Sequence, residues 1–247
     1  MPRYPKNRNI YIGLLLIVVS ESVCAFEITG SKWPGAETDF YINIDGISGT
    51  GISWNMAFIT ALEEWTIETP FTFNVKEEYR DPCGNDGVNG VDILEDYCGT
   101  EFGENTLAIT LSRYENTILG EPDIVESDII VNGSEKLDIY GGALPLFGPL
   151  YGKFDFRRAA LHELGHVIGL EHEDTKPAIM APDITDIDSL QPDDIAGVKA
   201  LYSGLDNCEI KDLKFGIINA ALNSSDCRVQ ELTVGGTDTS YIDIYRF

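Results

Sequence analysis

HELGHVIGLEH, residues 162–172, decides how this chain folds around its chemistry. On a helix, His162 and His166 lie one turn apart on the same face. Two imidazoles so placed can grip one Zn2+ at about 2.0–2.1 Å each. Gly169 has no Cβ, so it can end the helix in a left-handed turn and redirect the chain. His172 then approaches the pair from outside the helix. Three neutral nitrogens and one remaining position make an open, catalytic zinc site rather than a closed structural one. Glu163 adjoins the first histidine, close enough to act on a metal-activated water without being a ligand. The bland alternative is an amphipathic helix with packed histidines. The chain has three histidines in all, and every one stands in this stretch, so no background of surface histidines generates the pattern.

Outward from this stretch, the spacing predicts a helix over 156–168 with Asp155 as its N-cap. Pro192 suits the first turn of a last helix, with Asp193 and Asp194 near its positive end and Tyr202 near its close. Upstream, Ser53 is placed to cap a helix whose apolar residues recur at Met56, Ile59, Leu62 and Trp65. Strands are predicted at 38–44, 71–75, 91–94, 106–111 and 128–131, with a Gly/Asp/Asn-rich loop over 81–90. Residues 140–152 are punctuated by Gly and Pro yet apolar, which reads as a loop that packs on or covers something. The tail holds two short β-like runs, 230–234 and 241–245.

Arg3, Lys6 and Arg8 precede an apolar run from Ile10 to Val19, and Val23-Cys24-Ala25 offers a cleavage site. A spanning helix needs about 20 apolar residues, so residues 1–25 read as a signal peptide and the mature chain as starting at Phe26. Acylation at Cys24 is the weaker reading, because Val23 fits poorly before a lipidated cysteine. The formal charge is −24, which makes nucleic acid and anionic membrane poor partners. Solubility explains the acidity; attraction for Ca2+ or basic substrates is the sharper alternative. Four cysteines remain after Cys24, and four allow three pairings. Local pairing, Cys83 with Cys98 and Cys208 with Cys227, is expected, since no Cys-x-x-Cys spacing suggests a metal. Export and disulfides agree with one another.

The zinc motif with Met180, eight residues after His172 in Ala178-Ile179-Met180-Ala181-Pro182, resembles the metzincins. That short separation is similar to the matrixins, the matrix-metalloproteinase-like catalytic domains. Glu173 after the third histidine is like the astacins, whose methionine lies much farther on. Lys32-Trp33-Pro34, Glu64-Trp65 with Thr69-Pro70-Phe71-Thr72-Phe73, Gly103 to Ala108, and Leu190 to Ile195 with Leu201-Tyr202 follow in matrixin order. The resemblance implies an α+β metzincin-like fold: a twisted, mostly parallel sheet of about five strands, three main helices, and a methionine turn. The implied peptidase domain covers 26–205, followed by a small disulfide-containing, β-rich extension over 206–247 that straps onto it. It implies a secreted, monomeric endopeptidase without membrane insertion, acting on protein or peptide substrates. Leu107 and Ala108 would align the substrate as an added strand, Pro182 would border its side-chain pocket, and Met180 would floor the zinc. Ala181 stands where a tyrosine is often found, implying a wider pocket. One zinc is expected, since no histidines remain for a second; Ca2+ at Asp123, Glu126 and Asp128 is weighed against a solvated acidic loop. The family also pairs a freed N-terminal ammonium with an aspartate, here Phe26 with Asp194. A catalytically silent zinc-containing binding module of the same fold is the alternative, but Glu163 argues against it.

Overall fold

The computed structural model describes residues 26–117 and 121–202, and beyond them the backbone of short strand segments between 210 and 246. The expected signal peptide, and Cys208 with its expected bridge to Cys227, fall outside the described residues.

The first strand, β1 (Glu37–Tyr41), alternates exposed and buried side chains and sends Phe40 into the core. Helix α1 (Trp54–Glu68) starts where Ser53 accepts a hydrogen bond from the Met56 N–H at 3.4 Å, satisfying one of the helix's orphan donors. It buries Ala57, Phe58, Ala61, Leu62 and Trp65. Its inward face is therefore rotated from the expected stripe, and Met56 lies outside it, about half exposed. After the breaker Pro70, β2 (Thr72–Lys76) pairs with β1 in parallel, Glu37 opposite Thr72.

A second piece of sheet has the order β3 (Val91–Leu94), β5 (Asp123–Asn132), β4 (Ala108–Glu115). Strand β3 runs parallel to β5, and β4 antiparallel to it, leaving β4 at the edge. The two pieces meet at a parallel bridge between Phe40 and Asn89, where the Tyr41 N–H donates to the Asn89 carbonyl at 2.9 Å. Five strands thus succeed one another as β2, β1, β3, β5, β4, four of them parallel. A short parallel pair, β6 (Leu137–Asp138) with β7 (Phe154–Asp155), closes the loop that leads into the next helix.

That helix, α2 (Phe156–Ile168), packs beside α1 across the sheet and is buried along most of its length. The third, α3 (Pro192–Tyr202), begins at its proline as expected. Phe40, Phe58, Phe71 and Phe156 form an aromatic spine through the core, with neighbouring rings 5.0–6.3 Å apart and joined by Phe73, Trp54 and Tyr202. Rings at these separations add to the area they bury. Among the described residues no helix is long and apolar enough to cross a membrane.

Cys83, before β3, and Cys98, after it, are joined in a disulfide that ties the β2–β3 loop to the β3–β4 loop, so the expected local pairing holds there. In the tail, β8 (Ile210–Asp212) pairs with β13 (Ile244–Arg246), β9 (Cys227–Arg228) with β12 (Tyr241–Ile242), and β10 (Glu231–Thr233) with β11 (Gly236–Asp238).

Candidate active site

Helix α2 ends as the glycine required. Gly169 adopts φ +112°, its N–H donates to the His166 carbonyl at 3.0 Å, and the Leu170 N–H donates back to Gly165 at 3.0 Å. This is the Schellman arrangement, which satisfies carbonyls the helix would otherwise leave open. The redirected chain pairs with the N-terminal segment: the Thr29 N–H donates to Gly169, and the Glu171 N–H to Glu27. His172 is thereby held beside the helix. Atoms of His162, His166 and His172 suited to bind a metal all lie within 4.8 Å of one another.

Tautomers decide whether these nitrogens suit a metal. His162 Nδ1 lies 2.9 Å from the Ile179 carbonyl and His166 Nδ1 lies 2.8 Å from the Leu170 carbonyl. A carbonyl only accepts, so both Nδ1 atoms carry the proton and both Nε2 atoms present lone pairs. Those two Nε2 atoms face each other at 3.2 Å. Two ligands on a tetrahedral Zn2+ at its usual bond length stand about 3.3 Å apart. Two lone pairs at this distance repel unless a cation lies between them, so the donor set fits one Zn2+. Burial pushes His162 down to about 3, with the neighbouring His166 adding to it, and burial also lowers His172. Neutral imidazoles are the form a metal takes.

Glu163 is buried beside the pair, and burial raises its carboxyl above the ordinary range; His166 and a hydrogen bond from Thr110 oppose that rise. Thr110 Oγ1 donates to Glu163 Oε2 at 2.6 Å. Met180 is 2% exposed and lies against α2 at Gly165. Gly165 admits it: a Cβ at that position would stand 2.2 Å from Met180 Sδ and 3.3 Å from Trp65. The turn from Ala178 to Ala181 is fastened by Asp194, which accepts from Ile179 and Met180 N–H groups at 2.9 and 3.2 Å and from Gln191 at 2.7 Å. Glu173 adds a tie, its N–H donating to the Met180 carbonyl at 2.9 Å. Phe26 rests against Gly197, one turn along α3 from Asp194, whose carboxylate is engaged by these three main-chain donors.

Two cavities flank the histidines. One, of about 660 Å³, runs along β4 from Ala108 to Tyr114 and takes in Glu163, His166 and His172. The other, of about 570 Å³, lies between Leu107, Ala108 and Pro182 and is bounded by Arg158 and Ile179. All three residues expected to meet substrate therefore border the second cavity. Sequence reasoning missed Thr110 and Arg158. Arg158 donates to the Thr185 and Gly142 carbonyls at 2.5 and 2.6 Å, tying two loops around that cavity. A signal existed for it: four residues before His162, it shares the histidine's helix face.

Glu126 and Asp128 meet, but Asp123 does not join them in a group close enough to share a metal. Among the described residues the histidine trio is the group of three or more such side chains close enough to share a metal. Glu126 lies 3.1 Å from Arg113 and accepts from the Gly87 N–H, while Asp128 accepts from the Gly90 N–H. Burial pushes the Asp128 carboxyl up to about 8, with a hydrogen bond and like charge from Glu126 reinforcing it. These two carboxylates hold the loop over 86–90 against β5.

Residues 102–203 match the matrixin family model. Metalloendoproteinase 5-MMP of Arabidopsis thaliana is 40% identical over 187 residues, covering 71% of this chain and 47% of that protein. Metalloendoproteinase 1 of Glycine max is 42% identical over 57 residues, 22% of this chain and 19% of its own. Macrophage metalloelastase of Oryctolagus cuniculus is 47% identical over 49 residues, 18% and 11% respectively. The chain spans about half the length of the first of these relatives and less of the others. The matched model, the similar relatives and the histidine geometry agree: the chain carries a matrixin domain.

Proposed function

We propose that this protein is an exported, monomeric endopeptidase that hydrolyses peptide bonds with one zinc held by His162, His166 and His172 and with Glu163 as general base. The observation that carries the reading is the pair of Nε2 lone pairs 3.2 Å apart, both Nδ1 protons engaged by carbonyls, beside a buried glutamate. When bound, zinc would polarise the scissile carbonyl and acidify the attacking water. Glu163 takes the proton from that water and passes it to the leaving amine. The open edge of β4 at Leu107 and Ala108 aligns the peptide as an added strand. The cavity bordered by Pro182 receives a side chain next to the scissile bond. Met180, packed against the histidine-bearing helix at Gly165, supports the histidines by packing. The Cys83–Cys98 disulfide suits an oxidising compartment, in keeping with removal of residues 1–25 on export.

The test is cleavage of a mixed peptide library by the chain starting at Phe26, alongside Glu163→Gln with its zinc content measured. Chelator-sensitive cleavage by the native protein, with zinc retained and turnover lost in the variant, is expected. One equivalent of zinc without cleavage of any peptide would favour a silent binding module, and absence of zinc binding would refute the assignment.

A further inference from the structure

We infer that Thr110, on the edge strand, is a positioning residue that fixes the Glu163 carboxylate for proton transfer by hydrogen-bonding one of its two oxygens. The inference rests on the proposed peptidase reading. Thr110 Oγ1 has two acceptors within reach, Glu163 Oε2 at 2.6 Å and the Glu163 carbonyl at 3.2 Å. A hydroxyl has one hydrogen to donate, and the shorter, charge-assisted contact takes it. Among the described residues, Thr110 is the group that hydrogen-bonds this carboxylate.

The consequence is a division of labour within one side chain. Oε2 is anchored to the strand, and Oε1 is left for the attacking water. A glutamate on a helix has three rotatable bonds, and near-attack geometry tolerates little freedom in them. Thr110 is a stiff anchor. Its β-branch restricts χ1, and its strand is locked by antiparallel pairing, Thr110 opposite Ile129. Ala108 stands two residues earlier on the same strand face and borders both cavities. The strand that would align the peptide therefore also orients the base, so register and proton transfer share one rigid element. Serine keeps the hydroxyl and loses the branch; valine keeps the branch and shape and loses the donor.

Thr110→Val and Thr110→Ser separate this role from packing. Expected in Thr110→Val is a fall in kcat of about tenfold or more, the equivalent of one hydrogen bond to a charged group, with KM within about twofold and zinc content unchanged. Thr110→Ser is expected to recover most of kcat. A kcat for Thr110→Val within about twofold of the native value, or no recovery in Thr110→Ser, would overturn the inference. A second readout needs no turnover: carboxyl carbon-13 resonances of glutamate-labelled protein, with Glu163 identified by its absence in Glu163→Gln. The Glu163 resonance is expected to shift in Thr110→Val and to stay near its native position in Thr110→Ser. An unmoved resonance in Thr110→Val would overturn the hydrogen bond itself, whereas a native protein that cuts no peptide but shows the shift would place the failure with the peptidase reading.

Discussion

Replacing Gly169 by alanine tests whether the turn after α2 is as demanding as its geometry implies. At φ +112° an L-residue is strained, and holding one there costs about 1–3 kcal/mol. The added Cβ would also stand 2.7 Å from the Ser31 carbonyl oxygen. That oxygen belongs to backbone, and it accepts a hydrogen bond from Thr29 Oγ1 at 3.0 Å, so it cannot swing aside as a side chain would. Overpacking of this kind adds about 1–3 kcal/mol. Alanine recovers about 0.4–1 kcal/mol by narrowing the unfolded ensemble. The net loss is about 1–6 kcal/mol, a sizeable share of the roughly 5–15 kcal/mol by which domains are stable. Urea unfolding followed by far-UV circular dichroism measures it, with chelator present and absent. The strain resides in the metal-free backbone, so the loss should persist under chelation. With metal present a further decrease is expected, because His172 lies three residues past the turn. A loss below about 0.5 kcal/mol under chelation would refute the reasoning, since surface substitutions alone reach that size.

Gly165→Ala gains about 1 kcal/mol of helix propensity but drives a Cβ into Met180 Sδ, at a cost of about 1–3 kcal/mol. The melting temperature should fall slightly or hold, while peptide cleavage drops more steeply as Met180 is displaced from the histidine-bearing helix. Asp128 keeps its proton in the fold up to about pH 8, whereas the unfolded chain releases it in the usual carboxylate range. The native state therefore holds the extra proton in between, and stability falls as pH rises through that window, by up to about 1.4 kcal/mol per pH unit. Asp128→Asn should flatten this slope in denaturation curves taken between pH 5 and 8. Cys98→Ser opens a loop of sequence separation 15 and should cost about 3 kcal/mol, read as a lower urea midpoint.

Legibility of the fold followed local chemistry. The boundaries of α2 and the start of α3 were readable, because Asp155, Gly169 and Pro192 punctuate them. Asp155 stands at the cap position yet turns its carboxylate to the Tyr140 N–H at 3.1 Å, a long-range preference that no local rule encodes. Strand β5 was read as four residues and spans Asp123–Asn132. Glu126 and Ser127 hid its first half, since buried polar residues break the apolar alternation. They are tolerated because Gly87 and the Asn89 side chain supply partners from another loop. The zinc motif was legible as spacing along one helix, and Met180 as a fixed offset from it. Thr110 and the loop-tying role of Arg158 were not, because their partners lie 53 and 27 or 16 residues away.

The chain has three tryptophans, and all three touch α2. The Trp54 ring meets Phe156 at its start, with centroids 5.1 Å apart. Trp65 Nε1 donates to the Leu161 carbonyl in the middle at 2.9 Å, and Trp33 Nε1 donates to Val167 near the end at 2.7 Å. The intrinsic ultraviolet emission of the protein is thus a report on one helix, sampled at its first turn, its centre and its last turn. Replacing two of the three indoles by phenylalanine leaves a single emitter that watches a chosen turn, so local loosening of the histidine-bearing helix becomes visible without any attached dye.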